Sequence, residues 1–127
     1  MVINTFKKLS LLLILSGFLF PLNSSFADTS IEQQTEINHL LKFVTESACQ
    51  FNRNGTQYSG TQSRKHIQKK YDYFKEDIKS AEDFIKYSAT KSTMSGKYYT
   101  VTCPDKEKIT AKDWLLNELQ KFRSTQK

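Results

Sequence analysis

A short apolar run near the N-terminus constrains this chain more than any other feature, because it sets how much sequence is left to fold and where. Lys7 and Lys8 precede the run, which covers residues 11–20 (LLLILSGFLF) and ends at Pro21. A transmembrane helix needs about 20 apolar residues, and this run has about half of them. A basic start and a short apolar core are typical of a secretion signal rather than of a membrane anchor.

The residues after the run predict where the signal is removed. Ser25 and Ala27 place small side chains at the −3 and −1 positions of a cut between Ala27 and Asp28. Because no cysteine follows the cut directly, a lipoprotein is not expected. The sequence therefore predicts a signal peptide over residues 1–27 and one small globular domain over 28–127. This domain would be periplasmic or secreted, with no membrane anchor after cleavage.

The charge of the predicted domain is mildly basic. Two of the 19 basic residues and none of the 13 acidic residues lie in the signal, so the domain has four more basic than acidic residues. This excess allows attraction to anionic polymers, lipid head groups or acidic proteins, but requires none of them.

The two cysteines of the chain, Cys49 and Cys103, both lie in the predicted domain. Two cysteines in a small exported domain usually pair, because the compartment is oxidising. Closing a loop of this length stabilises a fold by about 4 kcal/mol in the chain-entropy description. A redox-active pair normally has a Cys-X-X-Cys spacing, which is absent here, so we predict a structural disulfide.

Helical periodicity appears in several parts of the domain. The pattern at residues 30–33 (SIEQ) is a capping box and predicts a first helix that runs to about Cys49. A second helix is expected to open at residues 59–61. Ser80 resembles a new N-cap, so either a third helix begins there or the second one kinks. Thr110 is expected to cap a last helix.

Two segments have strand signals. Asn54-Gly55 favours a two-residue hairpin turn, because both positions need positive φ, and this register places Phe51 opposite Tyr58. Residues 97–103 (KYYTVTC) are rich in β-branched and aromatic side chains and predict a later strand. The expected fold class is α+β, with three or four helices packed on a small antiparallel sheet made from the hairpin and this strand, and with one disulfide.

The order of four motifs resembles a known family. These motifs are residues 51–55 (FNRNG), a basic helix at 64–70, residues 81–85 (AEDFI) and residues 95–99 (SGKYY). Together they resemble the YfeK-like family of small exported bacterial proteins, a domain family of unknown function, over about residues 37–122. The resemblance implies export and a shared fold. It implies no activity.

The chain has no recognisable catalytic constellation. Its two histidines, His39 and His66, lie on different predicted helices outside any known motif. The cysteines and histidines lack the close paired spacings of zinc sites. The acidic pairs in the chain are neighbours on helical segments and cannot face each other across a cleft. We therefore predict no catalytic residue, metal or cofactor.

Two surfaces are candidates for binding. The first is the hairpin tip, where an arginine guanidinium and a tyrosine flank a tight turn. The second is the basic stretch of the second helix. In each case a purely structural role is the alternative, as a turn or as a solvated helix face. The candidate residues are Arg53, Asn54, Gly55 and Tyr58 at the tip and Arg64, Lys65, Lys69 and Lys70 on the helix.

These features favour a non-enzymatic binding module, of the kind that small inhibitors or immunity proteins form. Its partner would be another envelope protein or an imported protein, of unknown identity. The alternatives are a small envelope hydrolase and a structural protein associated with anionic envelope polymers. No nucleic-acid partner is expected, because export and the lack of a binding motif argue against one. The sequence leaves the oligomeric state open.

Overall fold

The computed structural model describes residues 17–19 and 29–127. The predicted cleavage site between Ala27 and Asp28 lies outside these residues, as does most of the predicted signal peptide. The helices are α1 (Ile31–Glu46), α2 (Gly60–Tyr73), α3 (Ala81–Ser88) and α4 (Ala111–Thr125), and the strands are β1 (Gln50–Arg53), β2 (Thr56–Tyr58), β3 (Thr100–Thr102) and β4 (Ile109–Thr110).

All four helices begin where the capping signals predict. The hydroxyls of Ser30, Ser59, Ser80 and Thr110 each accept a hydrogen bond from the backbone N–H three residues further on. Each bond satisfies one of the N–H groups that a helix start leaves without an intrahelical partner. A 3₁₀ turn at Lys75–Asp77 separates α2 from α3, so a new helix begins after Ser80 and the kinked alternative is wrong.

The first helix departs from expectation in two ways. It ends at Glu46 rather than near Cys49, because Ser47 takes an extended conformation and its hydroxyl accepts a hydrogen bond from the Cys49 N–H (2.9 Å). The reciprocal half of its capping box is also missing. Gln33 instead accepts a hydrogen bond from the backbone N–H of Ala81 (2.8 Å), which ties α1 to the start of α3. The complete capping box lies at α2 instead.

The sheet is antiparallel throughout, with strand order β2-β1-β3-β4. The hairpin is as predicted, since Asn54 and Gly55 have φ values of 52° and 84° and Phe51 lies opposite Tyr58. The later strand is shorter than residues 97–103. The segment before it makes an isolated bridge between Lys91 and Tyr98 together with backbone hydrogen bonds, among them one from the Tyr99 N–H to Thr90 (3.0 Å). Strand β4 was not expected from the sequence.

The predicted disulfide is present between Cys49 and Cys103. In the β1–β3 ladder Gln50 pairs with Thr102, so the two cysteines occupy the next cross-strand position. The bond therefore extends the ladder by one covalent pair, directly after the end of α1. It links the first helix to the centre of the sheet.

The core lies between the four helices and one face of the sheet. Trp114 of α4 stacks on Phe43 of α1 (ring centroids 4.4 Å apart) and meets the edge of Phe51 from β1 (5.4 Å), which joins two helices to the sheet. The architecture is thus α+β with four helices and a small antiparallel sheet, as predicted. The largest fully buried side chains include Phe84, Ile37, Leu40, Ile78, Ile85, Leu115 and Leu119. None of the helices in the described part of the chain is long and apolar enough to cross a membrane.

Candidate functional site

The hairpin places Arg53 against an aromatic ring. The guanidinium carbon lies 4.0 Å from the centroid of the Tyr58 ring, in a cation–π contact between β1 and β2. The Nε of Arg53 is fully covered and has no hydrogen-bond partner in the described part of the chain. The residue as a whole is only partly buried. Stacking engages the face of the guanidinium and leaves its N–H edges available.

The tip of the hairpin is braced by the loop that precedes β3. Asn54 accepts a hydrogen bond from the Ser95 hydroxyl (2.6 Å) and donates one to the Ser92 hydroxyl (3.4 Å). Within the turn, Asn52 accepts a hydrogen bond from the Gly55 N–H (3.1 Å). These bonds hold the turn against a second loop, so Arg53 projects from a fixed support.

Helix α2 brings two further basic side chains to the same region. Lys70 donates to the backbone carbonyl of Lys91 (2.6 Å) and to the hydroxyl of Tyr99 (3.3 Å). The Nε2 of His66 lies 3.0 Å from the same hydroxyl. Because lysine can only donate, the Tyr99 oxygen accepts from Lys70, and a second hydrogen bond joins the same hydroxyl to His66 Nε2.

The pKa values of these groups reflect burial and mutual repulsion. Burial, together with the positive charges of Arg53, Lys70 and Lys69, lowers the pKa of His66 from 6.5 to about 4. Burial and Arg53 also lower the pKa of Lys70. Burial raises the pKa of the Tyr99 hydroxyl, and Arg53 opposes that rise. At neutral pH His66 is therefore neutral.

We call Arg53, His66, Lys70 and Tyr99 the Arg53 cluster. Within residues 17–19 and 29–127, no carboxylate forms an ion pair with any of its members. The ion pairs of that part of the chain join His39 to Glu118, Lys42 to Glu46, and Arg123 to both Glu36 and Glu82. The cluster is thus a partly buried group of hydrogen-bond donors with uncompensated positive charge, which suits an anionic ligand.

The other candidate residues of the basic helix do not form one surface with the cluster. Lys65 and Lys69 are exposed on α2, and only Lys69 is close enough to affect the pKa of His66. Arg64 lies in a groove between α1 and α2, beside Lys42 and Glu46. The predicted basic stretch is therefore divided, and of its four residues Lys70 alone bonds to Tyr99, which lies opposite Arg53 when the β1–β3 register is continued.

Sequence reasoning missed two members of the cluster. The sequence places His66 outside any known motif and Tyr99 within the predicted later strand, and neither position indicates a binding role. One available signal was the i, i+4 spacing of His66 and Lys70, which places both on one face of α2. The other was the β1–β3 register, which continues to place Tyr99 opposite Arg53.

The second histidine has a different environment. The Nε2 of His39 lies 3.0 Å from a carboxylate oxygen of Glu118, and its ring stacks on Phe122 at 4.0 Å, so it links α1 to α4. In the part of the chain that the structure covers, no three His, Cys, Asp or Glu side chains are grouped to hold a metal ion. Both cysteines are committed to the disulfide.

Comparison with known proteins places the chain in a family without assigning an activity. No curated protein and no solved structure shows significant similarity to it. One family model matches residues 31–123, which include every helix start, all four strands and the whole Arg53 cluster. The chain belongs to DUF5329, a family of unknown function.

Proposed function

We propose that this chain is an exported, non-enzymatic binding module that captures another protein of the cell envelope, or an imported one, through the hairpin surface around Arg53. The observation that carries the proposal is the Arg53–Tyr58 stack, held in place by the hydrogen bonds of Asn54. Arginine and tyrosine are enriched at the energetic centres of protein interfaces. A rigid support lowers the entropy cost of binding.

Export is part of the same proposal. It is supported by the signal-like N-terminal sequence, by the resemblance to the YfeK-like exported bacterial proteins, and by a disulfide that an oxidising compartment would preserve. If the predicted signal is cleaved, the mass of the purified protein will correspond to a chain that begins at Asp28. A mass that includes residues 1–27 would contradict this part of the proposal.

The binding role is tested by cross-linking the protein in the cells that produce it and identifying captured proteins by mass spectrometry. We expect one dominant partner, and we expect the double variant Arg53→Ala/Tyr58→Ala to lose it. Lys121→Ala is the control, because it removes an exposed charge from α4, on an element that does not contribute to the hairpin surface.

Two results would contradict the proposal. Capture of the same partner by the double variant would exclude the hairpin surface. Association that disappears with moderate salt and shows no dominant protein would favour attraction to an anionic polymer, because exposed charges are screened over about 10 Å at 0.1 M salt.

A further inference from the structure

The Arg53 cluster has positive charge and a hydrogen-bond donor that no partner among the described residues satisfies. Arg53 and Lys70 both lie around Tyr99, since Arg53 is opposite Tyr99 when the β1–β3 register is continued and the Lys70 Nζ lies 3.3 Å from the Tyr99 hydroxyl. Bringing like charges together in a partly buried place costs free energy unless an opposite charge is supplied. No carboxylate among the described residues supplies this opposite charge. A bound anion would therefore lower the free-energy cost of placing the two positive charges together.

The available donors have a geometry that suits a planar oxyanion. The covered Nε–H of Arg53 has no hydrogen-bond partner among the described residues, and the residue as a whole is only partly buried. An N–H edge of a guanidinium matches the two oxygens of a carboxylate in a bidentate pair. Since the Tyr58 ring covers the guanidinium face, the plane of the fork is already oriented before a ligand arrives.

The side chains near Arg53 offer further contacts to a ligand. The Nδ1 of His66 makes no hydrogen bond among the described residues, so this ring nitrogen is available to a ligand. Lys70 donates hydrogen bonds to Lys91 and Tyr99, and these two bonds hold its ammonium group in place as a point charge. The loop that braces the hairpin also exposes Met94 and Tyr98, of which 99% and 60% of the surface is accessible. Exposed apolar and aromatic side chains on the loop that braces the hairpin suit contact with a peptide segment better than with a free inorganic ion.

We propose that the Arg53 cluster binds one carboxylate group of a protein partner, with the guanidinium of Arg53 as the bidentate donor and Lys70 as the supporting charge. This inference rests on the proposed function, and it names the chemistry by which the hairpin surface would recognise its partner. The carboxylate can belong to an acidic side chain or to the C-terminus of the partner chain. Both sources present the same pair of oxygens.

The test follows the side-chain signals of Arg53 and His66 by NMR. The protein is expressed from its full-length sequence and purified in the form that the cell produces. Sodium acetate is added at constant ionic strength, with sodium chloride as the reference salt. We expect saturable changes at the Arg53 Nε–H and at the His66 ring with acetate, and none with chloride. We also expect acetate to raise the pKa of His66, because an anion offsets the neighbouring positive charges.

Variants separate specific binding from general attraction. Arg53→Ala should weaken acetate binding about tenfold, as loss of a charge-assisted bidentate pair implies. Arg53→Lys keeps the charge and should still bind several-fold more weakly, because it lacks the fork. Lys121→Ala should bind as the wild type does. Backbone NMR spectra establish that each variant is folded, and equal affinity in all of them would overturn the proposal.

Two further arms identify the source of the ligand. A blocked peptide, acetyl-Ala-Glu-Ala-amide, offers only a side-chain carboxylate, and acetyl-Ala-Ala-Ala with a free C-terminus offers only a terminal one. Saturable binding of either peptide supports the proposal and assigns the source. Saturation by inorganic phosphate, with no response to acetate or to either peptide, would overturn it in favour of a phosphate ligand.

The failure of this inference is distinguishable from failure of the proposed function. Capture of a partner that depends on Arg53, without any carboxylate binding, would overturn the ligand chemistry alone. Saturable binding of acetate and of a peptide, without capture of any partner, would leave the carboxylate site and remove the protein-capture role.

Discussion

The imidazole of His66 lies among positive charges from two elements. Arg53 reaches it from β1, Lys69 and Lys70 share its helix, and the Tyr99 hydroxyl faces it from the segment before β3. Protonation would add a further positive charge to a partly buried group, so the folded state favours the neutral ring. The same surroundings that make the site receptive to an anion therefore make His66 a poor base.

The pH dependence of stability follows from this shift. Well above pH 6.5 His66 is neutral in both the folded and the unfolded chain and contributes nothing to the dependence. As the pH falls towards 4, the unfolded chain binds a proton that the folded chain refuses, so the free energy of unfolding decreases. We expect His66→Gln to lose this component, so that the stability of the variant approaches or exceeds that of the wild type at pH 5.

Two measurements check the prediction. The His66 ring shifts, followed by NMR against pH, should give a pKa close to 4. Urea unfolding gives the free energy of unfolding of the wild type and of His66→Gln at pH 7.5 and at pH 5. Between these two pH values the free energy of unfolding should fall more for the wild type than for the variant. A normal histidine pKa, or a difference that does not vary with pH, would contradict this account.

At the scale of elements, the contacts between helices depend on a few specific positions. Arg123 of α4 pairs with the buried Glu36 of α1 (Nη2 to Oε1, 2.9 Å) and with Glu82 of α3, so one side chain joins three helices. Its hydrogen bond is the main cause of the lowered pKa of Glu82. Between α1 and α2 there is a close approach at Gly60, the first residue of α2, which packs against the last turn of α1.

We expect Gly60→Ala to be destabilising even though alanine is the better helix former. A Cβ at this position would lie 2.3 Å from the carbonyl oxygen of Val44, and a rigid backbone cannot yield as a side-chain end can. Overpacking of this kind costs about 1–3 kcal/mol. Thr61→Ala, at the next and exposed position of the same helix, should change stability by less than about 0.5 kcal/mol.

Chemical denaturation of the two variants provides the comparison. An equal effect of both substitutions would mean that α2 can move away from α1 at little cost. The close approach at Gly60 would then not determine how the helices pack.

At the scale of the whole molecule, the disulfide restricts the unfolded chain more than any noncovalent contact can. It closes a loop of 54 positions and joins β1 to β3 at the centre of the sheet. A domain of this size is stable by only about 5–15 kcal/mol in total. One covalent link therefore contributes a large share of that stability.

Replacing both cysteines, Cys49→Ser/Cys103→Ser, should lower the free energy of unfolding by about 4 kcal/mol. Urea denaturation of the variant gives the value, and the reduced wild type should show a similar loss. The variant itself should not respond to reductant. Equal stability of the variant and the oxidised wild type would show that the link does not constrain the unfolded state as proposed.

Several features of the fold were predictable because they depend on neighbouring residues. A capping hydroxyl and the N–H it binds are three positions apart, so the starts at Ser30, Ser59, Ser80 and Thr110 are encoded locally. The Asn54-Gly55 turn is local in the same sense and sets the hairpin register. The cysteine pairing was predictable for a different reason, since the chain has only two cysteines.

Other features depended on how distant segments meet. Strand β4 has only two residues and forms because β3 offers it an edge. Gln33 was free to complete its own capping box, yet it binds the start of α3 because packing places that unpaired N–H beside it. The sequence by itself determined the helix starts, the hairpin and the disulfide. Only the tertiary structure assembled the Arg53 cluster, because its members come from β1, α2 and the segment before β3, and no local pattern encodes the distances between them.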